Sequence, residues 1–187
     1  MSQRLPDAAR EERAEAMMSS ATNEFVKEFP WVDSVTIEAQ LSFAQAHAVL
    51  HSALSRKYAE LGISVSRFNA LRLLHHTADK KLTITDLGLR LGVSSASVTR
   101  LVDGLIRDGW VRRVNGDKDR RVTHVQLLDT GEARFAQLLP RVLTIWNELW
   151  AGLSQDQKRL LGELNGKLRQ SLLTSFEPGE DLELREY

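Results

Sequence analysis

Between Val93 and Leu128 the chain reads VSSASVTRLVDGLIRDGWVRRVNGDKDRRVTHVQLL, and inside that one stretch its apolar period changes from helical to strand-like. Val98, Leu101, Val102, Leu105 and Ile106 recur at i, i+3, i+4, i+7 and i+8, which gives an α-helix a single buried stripe. After Gly109, WVRRV and RVTHVQLL alternate as strands do, with Thr123, Val125 and Leu127 on one face and turn-forming NGDKD between them. A short segment, DLGLRLG, comes before the helix, with Thr83 or Thr85 available to cap it and Gly92 to turn the chain. Helix, tight turn, helix and hairpin in this order read as a winged helix-turn-helix. The expected class is mostly α with a two-stranded β wing.

The face opposite the apolar stripe carries Ser95, Ala96, Ser97, Thr99 and Arg100 in the first turn and a half. Small side chains let a helix approach another surface closely, and hydroxyls and an arginine there suit base edges in a major groove. The hairpin tip adds Lys118, Arg120 and Arg121, which could enter a minor groove or clamp phosphates. Asp119 among them would repel phosphate unless it fixes an arginine's direction through a charge-assisted hydrogen bond. Read singly, these residues are caps, solvated surface and an ordinary turn; their succession favours DNA. Charge agrees: a net charge of zero conceals +3 over Ser94 to His124 and −4 over residues 177–187.

The flanks read as helices. Asp7 to Phe29 is a charged N-terminal extension ending at Pro30. Asp33 or Ser34 can cap a long helix in which Ile37, Leu41, Ala44, Ala48, His51 and Tyr58 fall near one face, ending at Gly62. Ser64 or Ser66 opens the next, with Phe68, Leu71 and Leu74 inward, and TADKK breaks it. Beyond the hairpin, Asp129 to Trp150 and Ser154 to Phe176 are leucine-rich helices with more apolar surface than a winged helix can cover. A homodimer would bury it, the other option being a larger monomeric core. The chain therefore divides into an N-terminal extension and dimerisation helices (1–62), a winged helix-turn-helix (63–128), C-terminal dimerisation helices (129–176) and an acidic tail (177–187).

Several classes fall away. The absence of cysteine excludes disulfides, thiolate metal clusters and thiol sensing. There is no eighteen-residue apolar run and no secretory h-region, so the expectation is a cytoplasmic protein without a membrane partner. No nucleophile with its base, acid pair or phosphate loop is visible, so neither enzyme activity, catalytic residues nor a cofactor is expected. His47 and His51 have the i, i+4 spacing of metal ligands, but zinc needs four, and no metal is expected.

The segment LTITDLGLRLGVSSASVTRLVDGLIRDGWVRRVNGDKDRRVTHVQLLDTGEA resembles the winged-helix core of MarR-type transcriptional regulators. VTRLVDGL and an Asp-x-Arg wing (Asp119, Arg121) followed ten residues later by Gly131 carry the likeness, which extends more loosely over Asp33 to Phe176. It implies that Ser95, Ser97, Thr99 and Arg100 meet the major groove of double-stranded operator DNA, and that Arg121, held by Asp119, enters the minor groove. Arg120 would touch phosphate beside Lys118. It further implies a homodimer with a small-molecule effector between the dimerisation helices and the winged helix, where His47, His51, Arg67 and His75 are the candidate ligand residues. The function implied is a ligand-responsive repressor released by a small aromatic acid or phenolic compound; the alternative is a winged-helix protein-interaction module. Leu128 departs from the family, which has threonine there, so Asp129 or Thr130 is expected to cap the next helix.

Overall fold

Polar caps decide where most of the helices begin. In a computed structural model, residues 33–115 and 122–175 are described, together with positions 16, 20, 24, 25, 27–29 and 31. Most of the N-terminal extension, the hairpin tip with Lys118, Asp119, Arg120 and Arg121, and the acidic tail lie outside the described residues. Helix α1 spans Ser34–Glu60, and Asp33 starts it by accepting from the backbone of Val35 (3.1 Å) and Thr36 (3.2 Å). The Thr36 hydroxyl and the Val35 amide hold this carboxyl below the ordinary carboxylate range. Gly62 ends the helix with φ +69, a left-handed turn that only glycine makes freely. Residues 1–53 and 54–187 form separate units.

Within the second unit, Ser64 caps α2 (Val65–His75), Thr83 caps α3 (Ile84–Leu91) and Ser94 caps α4 (Ser95–Arg107). Each hydroxyl accepts a backbone N–H three residues on, which settles the two pairs of candidate caps. Gly92, at φ +66, makes the turn between α3 and α4. Strands β2 (Val111–Asn115) and β3 (Thr123–Leu127) form the expected hairpin. A third strand, β1 (Lys81–Thr83), extends the expected two-stranded wing to a sheet of order β1-β3-β2, with Leu82 opposite Val125. β1 leaves a 3₁₀ turn, Ala78–Lys80, in which Asp79 (φ 57) and Lys80 (φ 51) are both left-handed. Side chains with a Cβ resist that region. Glu132 holds it in place by pairing with the Lys80 ammonium.

Helix α5 runs from Asp129 to Leu149 and α6 from Gln155 to Ser175. The expected cap at Asp129 or Thr130 is corrected: Leu128 takes the N-cap position and no side chain caps the helix. Two other bonds anchor the start of the helix, the Leu128 N–H donating to the Trp110 carbonyl at 2.9 Å and the Thr130 hydroxyl donating to the Gly109 carbonyl. The core gathers around fully buried Phe68, whose ring lies 5.5 Å edge-on from Tyr58, 5.5 Å from Phe135 and 6.5 Å edge-on from Trp146. Burying Tyr58 raises its pKa, although its oxygen accepts a hydrogen bond from Trp146 Nε1 at 3.0 Å. Val98, Val102, Leu105, Val111 and Val125 continue this core beneath the helix-turn-helix. Among the described residues no helix is long and apolar enough to cross a membrane.

Candidate nucleic-acid interface

The buried stripe of α4 fixes which of its residues can face outward. With Val98, Val102 and Leu105 packed into the core, Ser95, Ala96, Thr99 and Arg100 are exposed on the opposite face, while Ser97 is half-buried. A hydrogen-bonded chain orders this end. The Ser94 hydroxyl donates to Ser97 Oγ at 3.1 Å, and Arg100 Nη2 donates to the same oxygen at 3.3 Å, which aims the guanidinium along the first turn. Thr99 Oγ1 donates back to the Ser95 carbonyl at 2.9 Å, leaving its methyl and an oxygen lone pair outward. Gly88 stands at the close crossing of α3 and α4, where an added Cβ would lie 3.3 Å from Val98 Cγ1.

Two polar links that periodicity cannot show hold the stem of the wing. Arg113, at the centre of β2, pairs with Asp103 on α4 at 2.8 Å, tying the strand to the helix. Arg112 donates through Nε (3.0 Å) and Nη2 (2.9 Å) to Gln126 Oε1 directly across the β2–β3 ladder. These arginines were legible only as positive charge. Their partners are a helix face and the opposite strand, which folding alone makes neighbours. Lys118, Asp119, Arg120 and Arg121 fall outside the described residues.

The four expected ligand residues have distinct surroundings. His47 and His51 are exposed on α1, their rings 6.2 Å apart at 27°, with Phe43 stacked 6.4 Å from His47. Among the described residues no group of three His, Asp or Glu gathers as a metal cluster would. Arg67 lines an open concavity of about 360 Å³ with Ser55, Ala59, Gly62, Ile63, Ser64 and Val65. Its guanidinium points to Asp108 at the end of α4, at 2.5 Å, and lies 5.3 Å over the Trp110 ring. His75, two turns further along α2, instead packs 4.7 Å from Phe135 with its Nδ1 3.5 Å from Glu132. Arg67 and His75 therefore address different partners. Lys80, hydrogen-bonded to Glu132 from the other side, holds that carboxyl below its ordinary range, with His75 adding a smaller part.

Residues 61–122 match the sequence profile of the MarR family. The chain is 30% identical over 141 residues to the HTH-type transcriptional repressor YetL of Bacillus subtilis, covering 75% of this chain and 84% of that one. Its fold is similar to that of Sco3205, a MarR family transcriptional regulator from Streptomyces coelicolor in complex with DNA. The TM-score is 0.71 at 22% identity, over 81% of this chain and 97% of that one. It is likewise similar to the organohalide-sensing regulator RdhR-CbdbA1625 in its 2,4-dichlorophenol-bound form, at TM-score 0.68, 19% identity and coverage of 81% and 89%. Relatedness to YetL over most of both chains, joined to a winged helix built on the same residues, establishes that this chain belongs to the MarR family of transcriptional regulators.

Proposed function

We propose that this DNA-binding regulator acts as a homodimeric repressor of a pseudo-palindromic operator and is released by a small aromatic acid or phenol. The observation that carries the DNA reading is the outward end of α4, where Ser95, Thr99 and Arg100 project from a helix locked on the core. Ser97, through its bond to Arg100, orients that arginine as well as offering its own hydroxyl. On this reading these residues meet base edges, Arg121 held by Asp119 enters the minor groove, and Lys118 and Arg120 meet phosphate. YetL carries the name of a repressor, and Sco3205 was solved on DNA.

The dimer rests on apolar surface. Leu160, Leu164, Leu168 and Leu172 repeat every fourth residue along α6, each about half exposed. Such a row wants a second copy of the chain. The effector class rests on the concavity lined by Arg67, whose largely apolar wall suits a ring and whose one arginine suits an anionic oxygen; His47, His51 and His75, which do not line it, are kept as separate candidates. The phenol-bound neighbour is consistent with that chemistry.

Selection of binding sites from a random duplex pool, followed by footprinting with and without salicylate, tests the whole reading. Two protected half-sites about one helical turn, ~10 base pairs, apart are expected, with affinity falling steeply with salt. Salicylate should shorten or erase the footprint. A protein that enriches no duplex would instead be an interaction module.

A further inference from the structure

Arg67 belongs to two places at once. It forms part of the wall of the concavity, and it lies across the last turn of α4, the helix assigned to the major groove. Three contacts fix it there. Nη2 meets Asp108 Oδ2 at 2.5 Å, the guanidinium covers one side of Trp110 at 5.3 Å, and it packs closely over Gly104 of α4. A Cβ at Gly104 would stand 3.1 Å from Nη2. Trp110 is in turn the residue on which the elements converge. Arg134 of α5 approaches its ring at 5.9 Å, and its carbonyl accepts the N–H of Leu128 at the head of α5.

We infer that the Arg67–Asp108 pair is the relay through which an anion in the concavity loosens the recognition helix. The inference rests on the effector reading above and names the residues that would transmit it. A carboxylate entering beside Ser64 and Val65 competes with Asp108 for the same guanidinium. If both carboxylates engage it, they repel each other at close range; if one yields, Arg67 turns into the concavity. Either way the pair is weakened. Asp108 caps α4, its backbone N–H donating to the Gly104 carbonyl at 3.2 Å, so the end of the helix loses the cation that tethers it to α2. Two recognition helices that must match groove spacing together tolerate little such movement. The ligand favours the open state because only there is Arg67 fully available to it.

The test uses the full-length protein, its selected operator, and salicylate as probe. Asp108→Asn removes the competitor and leaves Arg67 in place. It should bind salicylate at least about fivefold more tightly than the parent, and salicylate should weaken its operator binding by a smaller factor. A purely structural pair would lower the unfolding midpoint without tightening salicylate. Gly104→Ala crowds the Arg67 guanidinium by a few tenths of an ångström and leaves both charges. It should weaken operator binding without ligand, by a smaller factor than salicylate does in the parent, at an unchanged or higher unfolding midpoint. Parent-like salicylate affinity in Asp108→Asn together with parent-like operator affinity in Gly104→Ala would overturn the relay and leave the effector reading standing. If salicylate and benzoate bind neither the parent nor Asp108→Asn, the effector reading fails and the relay with it.

Discussion

Gly131→Ala is a small substitution with a large structural demand. A Cβ at Gly131 would stand 2.2 Å from the Trp110 carbonyl oxygen and 2.8 Å from Leu127 Cδ1. The first obstacle is backbone, and it cannot rotate away, because that oxygen accepts the Leu128 N–H at 2.9 Å. The first turn of α5 must lift by roughly the ångström that separates such a contact from van der Waals distance. Lifting it breaks the Leu128 bond and the Thr130 bond to Gly109, at about 1 kcal/mol each. Strain from overfilling adds about 1 to 3 kcal/mol, while alanine's better helix propensity returns at most about 1 kcal/mol. The net loss is about 2 to 4 kcal/mol, or some 2 to 4 °C in melting temperature for each kcal/mol at this chain length. Urea unfolding at fixed protomer concentration measures it, since dimerisation would otherwise contribute. Gly162→Ala is the control: nothing lies within 4 Å of its added Cβ, and the position faces away from the leucine row of α6, so stability should rise slightly. A loss below about 1 kcal/mol for Gly131→Ala would refute the argument that close approach to Trp110 requires glycine.

The Asp103–Arg113 pair should act on the wing more than on stability. Both side chains are substantially exposed, so either alanine variant should cost little in unfolding free energy, at most about 1 kcal/mol. Footprints of Asp103→Ala should nonetheless keep the protection assigned to α4 and lose that of the wing, and additive effects of the two alanines on operator affinity would disprove the coupling. Glu132 supplies an acid-side dependence. Lys80, first by hydrogen bond and then by charge, lowers its pKa from 4.5, so its contribution is present above that value and fades as pH falls through the lowered one. The difference in urea midpoint between parent and Glu132→Gln should therefore shrink on acidification below pH 4.5. A difference constant from neutral pH to pH 3 would show that Lys80 and His75 do not hold this carboxylate.

What the sequence determined by itself were the features that depend on near neighbours. The stripe of Val98, Val102 and Leu105, the turn at Gly92 and the alternation around Val125 follow from spacing within a few residues, where helix and strand geometry leave little choice, whereas the choice of Ser64 over Ser66 and Thr83 over Thr85 as caps came from the structure. The outward set Ser95, Thr99 and Arg100 follows too, because burying one face of a helix assigns the other. Tertiary structure decided the rest. Lys81–Thr83 is too short to show a period and is a strand only because β3 lies beside it. The start of α5 at Leu128, which has no capping hydroxyl, is anchored by the Trp110 carbonyl, which the turn at Gly109 brings over to take the Leu128 N–H. A cation such as Arg67 is visible in any sequence. That it lies on Trp110 beside Asp108 and packs closely over Gly104, and is not free in the concavity it lines, depends on residues far along the chain.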